Sequence, residues 1–141
     1  MKDRLSESIE NYLKTIYTLE EAQIPATTVT LAECLGVKPP SITGMIKRLA
    51  TRQLLQHRPY HGVVLTATGK HRARAILRRH RLIELFLVEV LKFRPDEVHE
   101  EAERWEHVVS ATALERIDSA LGRPTHDPHG KPIPAASRGV N

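Results

Sequence analysis

Between residues 30 and 66 the apolar spacing changes from helical to alternating within a few turns of chain, and this constrains the fold more than any other feature. Thr30 precedes LAECLGV, a short helix predicted to stop at Gly36, because glycine readily takes the left-handed conformation that ends helices. Pro39-Pro40-Ser41 opens the next helix, in which Ile42, Met45, Ile46, Leu49 and Leu54 form the predicted buried stripe. Two short helices joined by a glycine-containing turn read as a helix-turn-helix, although plain helical hairpins share that outline. The following segment adds specificity: Leu55–Arg58 and Val63–Thr66 are strand-like runs flanking Pro59-Tyr60-His61-Gly62, a turn signal. A helix-turn-helix followed at once by a β-hairpin is a winged helix.

The flanks are helical. Ile9, Tyr12, Leu13, Ile16 and Leu19 recur at spacings of three and four, so residues 6–21 are predicted to form an amphipathic helix capped by Ser6. Thr66 or Thr68 caps a long helix that Pro95 ends; Asp96 caps another, and Ser110 restarts a last one that stops at Gly122. The final stretch, RPTHDPHGKPIPAASRGVN, holds four of the nine prolines and no apolar stripe, and reads as a linker or tail. The expected fold class is mainly α: a winged helix-turn-helix with a small hairpin wing over residues 1–74, a helical domain over 75–122, and a proline-rich linker or tail over 123–141. The lone cysteine, Cys34, precludes an intrachain disulfide framework and a four-cysteine zinc module, and reads as a small buried apolar residue. No apolar run reaches the ~20 residues that span a bilayer, and no secretory signal opens the chain, so no membrane partner and a cytoplasmic location are expected.

The net charge of +4 conceals a partition. Residues 38–81 carry eleven Lys and Arg and no carboxylate, whereas the segments on either side are net acidic. A long cationic stretch without acid is the electrostatic footprint of phosphate binding, and it is assigned mostly to double-stranded DNA. The second helix of a helix-turn-helix lies in the major groove. The candidate DNA contacts are therefore Thr28, Lys38, Pro40, Ser41, Thr43, Gly44, Lys47 and Arg48, with Arg58, Tyr60 and His61 on the wing. Small hydroxyls and proline do not offer strong bidentate base pairing, so readout is expected to rest on phosphate contacts and DNA shape.

A second constellation follows. His80 and Glu84 are four apart on one helix; His99, Glu103 and His107 are spaced by four on the next, with Glu106 beside His107. Such residues share a helix face, while Val98, Ala102, Trp105 and Val109 make the apolar face. Imidazoles with several carboxylates and no thiolate suit Mn²⁺ or Fe²⁺, and also Zn²⁺. The plain alternative is an exposed acidic helix laced with salt bridges to Arg78, Arg79 and Arg104. A metalloprotease is not supported, because His99-Glu100-Glu101-Ala102-Glu103 puts a carboxylate where the second histidine belongs. No Gly-rich phosphate loop and no G-x-S-x-G occurs, and the chain is not expected to be an enzyme.

Three blocks carry a resemblance: ENYLKTIYTLEE, RRHRLIE, and VHEEAERWEHVVS followed by HDPHGKPIP. Over residues 1 to about 135 the chain resembles the diphtheria-toxin-repressor family of metal-dependent transcriptional regulators, which has iron and manganese branches. The resemblance implies a homodimer in which residues 75–122 are the α-helical metal-binding dimerisation domain and which, loaded with metal, binds palindromic operators controlling metal homeostasis genes. It implies His80, Glu84 and His99 as one site of the iron branch. It implies Glu106, His107 and residue 103 as the other, and His80, Glu103, Glu106 and His107 as the central ligands of the manganese branch. Asn11 stands where the branches have methionine or aspartate, and its amide oxygen is an available ligand; Lys14 stands where the manganese branch has glutamate, and a charged lysine cannot ligate. Glu103 favours Mn²⁺ over Fe²⁺. The proline-rich tail is similar to the iron branch, where it leads to a small β-barrel. A metal-independent winged-helix regulator sensing a small ligand is the competing expectation.

Overall fold

The computed structural model describes residues 5–136 of the chain. Among them are six helices and one two-stranded sheet: α1 (Glu7–Glu21), α2 (Thr28–Leu35), α3 (Pro39–Thr51), β1 (Leu55–Arg58), β2 (Gly62–Leu65), α4 (Ala67–Glu89), α5 (Val98–Glu106) and α6 (Ala111–Ala120). The chain divides into two compact units, Met1–Arg74 and Ala75–Asn141, the division falling inside α4.

In the first unit α1 begins at the expected Ser6, whose hydroxyl accepts a hydrogen bond from Ile9 N at 3.2 Å. It buries Ile9, Tyr12, Leu13, Ile16 and Leu19, and packs against α2 and β2. Helix α2 starts three residues earlier than expected, at Thr28: Thr27 is its cap, its extended backbone letting the side-chain hydroxyl accept from Thr30 N. Gly36 closes α2 in the left-handed conformation. Helix α3 opens on Pro39 and buries Ile42, Met45, Ile46 and Leu49. Leu54 is buried as expected, but lies in the turn beyond the helix. The antiparallel hairpin pairs Leu55 with Leu65 and Arg58 with Gly62. It is tied to the rest of its unit at two points: Val63 N donates to Ala26 O at 3.1 Å, and Leu65 N donates to the Glu20 carboxylate at 2.8 Å.

In the second unit α4 ends at Glu89, well before Pro95, where Lys92 takes a positive φ and Phe93 N donates back to Leu87 O. Helix α5 is preceded by Glu97 rather than Asp96; the Glu97 carboxylate accepts from Arg94 N. Ser110 caps α6, accepting from Ala113 N at 3.0 Å. Ile83 and Leu87 of α4 and Val98 and Ala102 of α5 form the core, with Phe86, Phe93, Trp105 and Leu114 packed around it.

The proline-rich stretch, expected to be a linker or tail, is hydrogen-bonded onto the second unit through Pro134. Arg81, buried, donates to Pro132 O at 2.7 Å, and Arg78 donates to Pro134 O at 3.0 Å. The strap is itself a tight turn. Asp127 Oδ1 accepts from His129 N and Lys131 N, and Ile133 N donates to Thr125 O. Composition misled here because proline cannot donate, but its carbonyl is an unimpaired acceptor for a buried guanidinium.

Glycine has a packing role at one junction. A Cβ on Gly69, at the start of α4, would stand 2.0 Å from Leu54 O, whereas one on Gly44 in α3 would meet nothing within 4 Å. Gly69→Ala is expected to cost about 2 kcal/mol or more through overpacking, and Gly44→Ala to gain about 0.5–1 kcal/mol from helix propensity. Paired thermal unfolding curves check both signs.

Candidate metal centre and nucleic-acid interface

Glu84 is the hub of the second unit. Its carboxylate is 2% exposed, and the side chains around it are imidazoles from three segments. His80, one turn earlier on α4, meets Glu84 Oε2 with Nε2 at 2.9 Å. His99 of α5 stands at 3.4 Å from the same oxygen, and His129 of the strap at 3.4 Å from Oε1. Two groups of three have ligand atoms that all lie within 4.8 Å of one another: His80, Glu84 and His99, and Glu84, Asp127 and His129. Glu84 belongs to both.

The remaining expected ligands extend this cluster. His80 Nδ1 hydrogen-bonds Glu106, which is fully buried; His107 Nε2 lies 3.4 Å from the other oxygen of Glu106. His99 Nε2 is 3.8 Å from Glu103. The six expected side chains of this unit thus form one chain of contacts, His107–Glu106–His80–Glu84–His99–Glu103. Asn11 is in the other unit, where its Oδ1 is buried and has no hydrogen-bond partner among the described residues. Asp127 and His129 were missed. The only sequence signal was the Asp-x-His spacing of HDPHG, which gives no hint of proximity to a helix more than forty residues away.

Burial alone would push the Glu84 carboxyl up, but hydrogen bonds from His80 and His99 and the charges of His80 and His129 hold it well below the usual carboxylate range. It is therefore ionised well below neutral pH. A buried carboxylate ringed by nitrogen donors, with Asp127 also buried, fits a divalent ion. The ordinary carboxylate value is 4.5, so the stabilisation tied to ionised Glu84 is present above that pH and lost as pH falls below it. Metal-free protein is expected to lose thermal stability progressively as pH falls below about 4.5, and Glu84→Gln to flatten that limb; melting curves across the acid range decide it.

The first unit presents the DNA-facing candidates. Lys38, Pro40, Ser41, Thr43, Gly44, Lys47 and Arg48 are all exposed on or before α3, opposite its buried stripe, and Thr28 opens α2, half-buried. Thr43 donates its hydroxyl to Pro39 O at 3.3 Å. Arg58 ends β1, and Tyr60 and His61 form the hairpin turn. The cationic stretch is less uniformly available than its charge suggests. Arg78 is paired with Asp118 at 3.1 Å, Arg81 is buried against the strap, and Arg74 bonds the Tyr17 hydroxyl. Cys34, expected to be buried, is exposed.

Known proteins with this arrangement are recognisable by both halves. Residues 4–63 match the family profile "Iron dependent repressor, N-terminal DNA binding domain", and residues 66–135 match "Iron dependent repressor, metal binding and dimerisation domain". The iron-dependent repressor IdeR of Mycobacterium leprae (strain TN) is 38% identical over 130 residues, which are 92% of this chain and 56% of that protein. The chain thus spans little more than half the length of that relative. An uncharacterized HTH-type transcriptional regulator of Methanocaldococcus jannaschii is 40% identical over 114 residues, 80% of this chain and 91% of its own. A solved manganese-dependent transcriptional repressor in complex with manganese superposes with a TM-score of 0.86 at 46% identity, covering 91% of this chain and 59% of that one. Among the described residues, no helix is long and apolar enough to cross a membrane.

Proposed function

The chain belongs to the diphtheria-toxin-repressor family of metal-dependent transcriptional regulators, which are not enzymes, and from that premise we propose that it is a homodimeric repressor that binds palindromic operator DNA when loaded with Mn²⁺. The observation that carries this reading is Glu84: a buried carboxylate shared by two ligand groups on three separate segments. His80, Glu84, His99, Asp127 and His129 would hold the cation, with Glu103, Glu106 and His107 continuing the set. A bound divalent cation would supply the positive charge that balances the buried carboxylates and would tie α4, α5 and the strap together. Three imidazoles with oxygen donors and no thiolate suit Mn²⁺, with Fe²⁺ as the runner-up and Zn²⁺ able to bind as well.

The chain's own residues prepare the site. Arg81 and Arg78 hold the Pro132 and Pro134 carbonyls, and this anchorage presents Asp127 and His129 toward Glu84. Arg78 is itself fixed by Asp118, which also accepts from Arg123 at 2.6 Å. On the DNA side, Lys38, Lys47, Arg48 and Arg58 would neutralise phosphates while Pro40, Ser41, Thr43 and Gly44 sit close to the groove floor, with Thr28 on the flank.

The deciding measurement is titration of Mn²⁺, Fe²⁺ and Zn²⁺ while binding to selected duplex DNA is followed at fixed ionic strength. Mn²⁺ is expected to raise affinity most. Glu84→Ala and His129→Ala should abolish that stimulation. Arg81→Ala, which removes no ligand, should weaken metal binding about 10- to 100-fold, as loss of a group that orients ligands does. Equal DNA affinity with and without metal would instead establish the metal-independent regulator.

A further inference from the structure

Among the described residues, five non-glycine residues have positive φ: Gln23, Gln53, Tyr60, Lys92 and Arg123. Four of them follow helix ends, where the conformation is rewarded by closing hydrogen bonds such as Ile24 N to Leu19 O, Leu54 N to Leu49 O, Phe93 N to Leu87 O, and Arg123 N to Asp118 O. Tyr60 is different. It is the third residue of the four-residue turn Arg58-Pro59-Tyr60-His61, closed by His61 N to Arg58 O at 3.0 Å, with φ at 66°. With proline before it, this is the position that a type II turn reserves for glycine or asparagine. The His61 ring braces the same turn, with Nδ1 donating to Pro59 O at 2.9 Å.

Nothing inside the protein compensates a tyrosine there. Its side chain is 98% exposed, and among the described residues its hydroxyl has no partner. Glycine would serve the fold better, so the ring's reward lies outside the chain. The surroundings indicate what it meets. The tip follows the exposed Arg58, α3 packs against β1, and no carboxylate occurs anywhere from residue 38 to 81. A flat, uncharged ring bearing one O–H donor, on a hairpin tip within a stretch of sequence that carries no carboxylate, matches the sugar edge and acceptors of a duplex minor groove. We propose that Tyr60 is a DNA-contacting residue of the wing, held in a strained backbone conformation so that its ring packs along the minor groove beside the half-site occupied by α3.

The inference rests on the DNA-binding reading above, and the test separates the two. Duplex DNA is first selected from a random library by Mn²⁺-loaded wild-type protein. Affinity and thermal unfolding are then measured for Tyr60→Gly, Tyr60→Asn and Tyr60→Phe, with Arg58→Ala for comparison. Tyr60→Gly and Tyr60→Asn are expected to unfold at the same temperature or up to ~3 °C higher, yet to bind DNA about tenfold more weakly, as loss of one aromatic contact with nucleic acid does. Tyr60→Phe should recover most of that loss. Because tyrosine carries no charge, the dependence of affinity on salt should stay as in wild type, whereas Arg58→Ala should lower its slope by about 1. Binding by Tyr60→Gly and Tyr60→Asn within about twofold of wild type would overturn this inference alone. Failure of the wild type to select any DNA would overturn the regulatory reading and this inference together.

Discussion

A carboxylate that is 2% exposed must be balanced, because removing an ionised group from water costs several kcal/mol even after the protein relaxes. Glu84 is balanced by imidazoles brought to it from α4, α5 and the strap. Each contact recruits a different part of the second unit: His80 draws in Glu106 and through it His107, and His129 draws in the turn built on Asp127. The apolar core of Ile83, Leu87, Val98 and Ala102 brings α4 and α5 together, but it does not fix which polar faces meet. The demand of one buried charge does. The same demand makes the unit responsive: its charge balance changes when protons or a cation enter the site.

The arginines show how position redistributes a charge pattern. A run of eleven cations without one acid reads as a single footprint, and in the folded chain it has two fates. Lys38, Lys47, Arg48 and Arg58 face solvent on α3 and the wing, while Arg78 and Arg81 turn inward to carbonyls of a proline-rich strap. Guanidinium groups suit that second task because several fixed donors can serve a carbonyl and a carboxylate at once, as Arg78 does with Pro134 and Asp118. Anchorage and DNA attraction thus draw on one compositional signal.

Much of the molecule was legible from local rules. Ser6, Gly36 and Ser110 stand at helix ends because capping is decided within three or four residues, and the stripe of Ile42, Met45, Ile46 and Leu49 is buried because helical period alone selects that face. The pairing of His80 with Glu84 follows from one turn of helix. Errors came where longer-range contacts decide. Helix α2 begins at Thr28 rather than after Thr30; α4 stopped before its proline; Cys34 faces solvent, since α2 buries little besides Leu31.

The sequence by itself determined a winged helix, an exposed cationic second helix in its helix-turn-helix, and helices bearing histidine and glutamate at ligand spacing, since each is set by periodicity, turn chemistry or charge along a continuous segment. It also placed a tyrosine at a turn, visible as Pro-Tyr between two strands. Only the tertiary structure decided that the proline-rich end is a strap rather than a linker, that Asp127 and His129 join Glu84, and that Tyr60 holds a positive φ with its ring in solvent. The reason is physical. Hydrogen bonds from Arg78 and Arg81 to carbonyls more than fifty residues away depend on backbone atoms that every residue carries, and so leave no mark in residue identity.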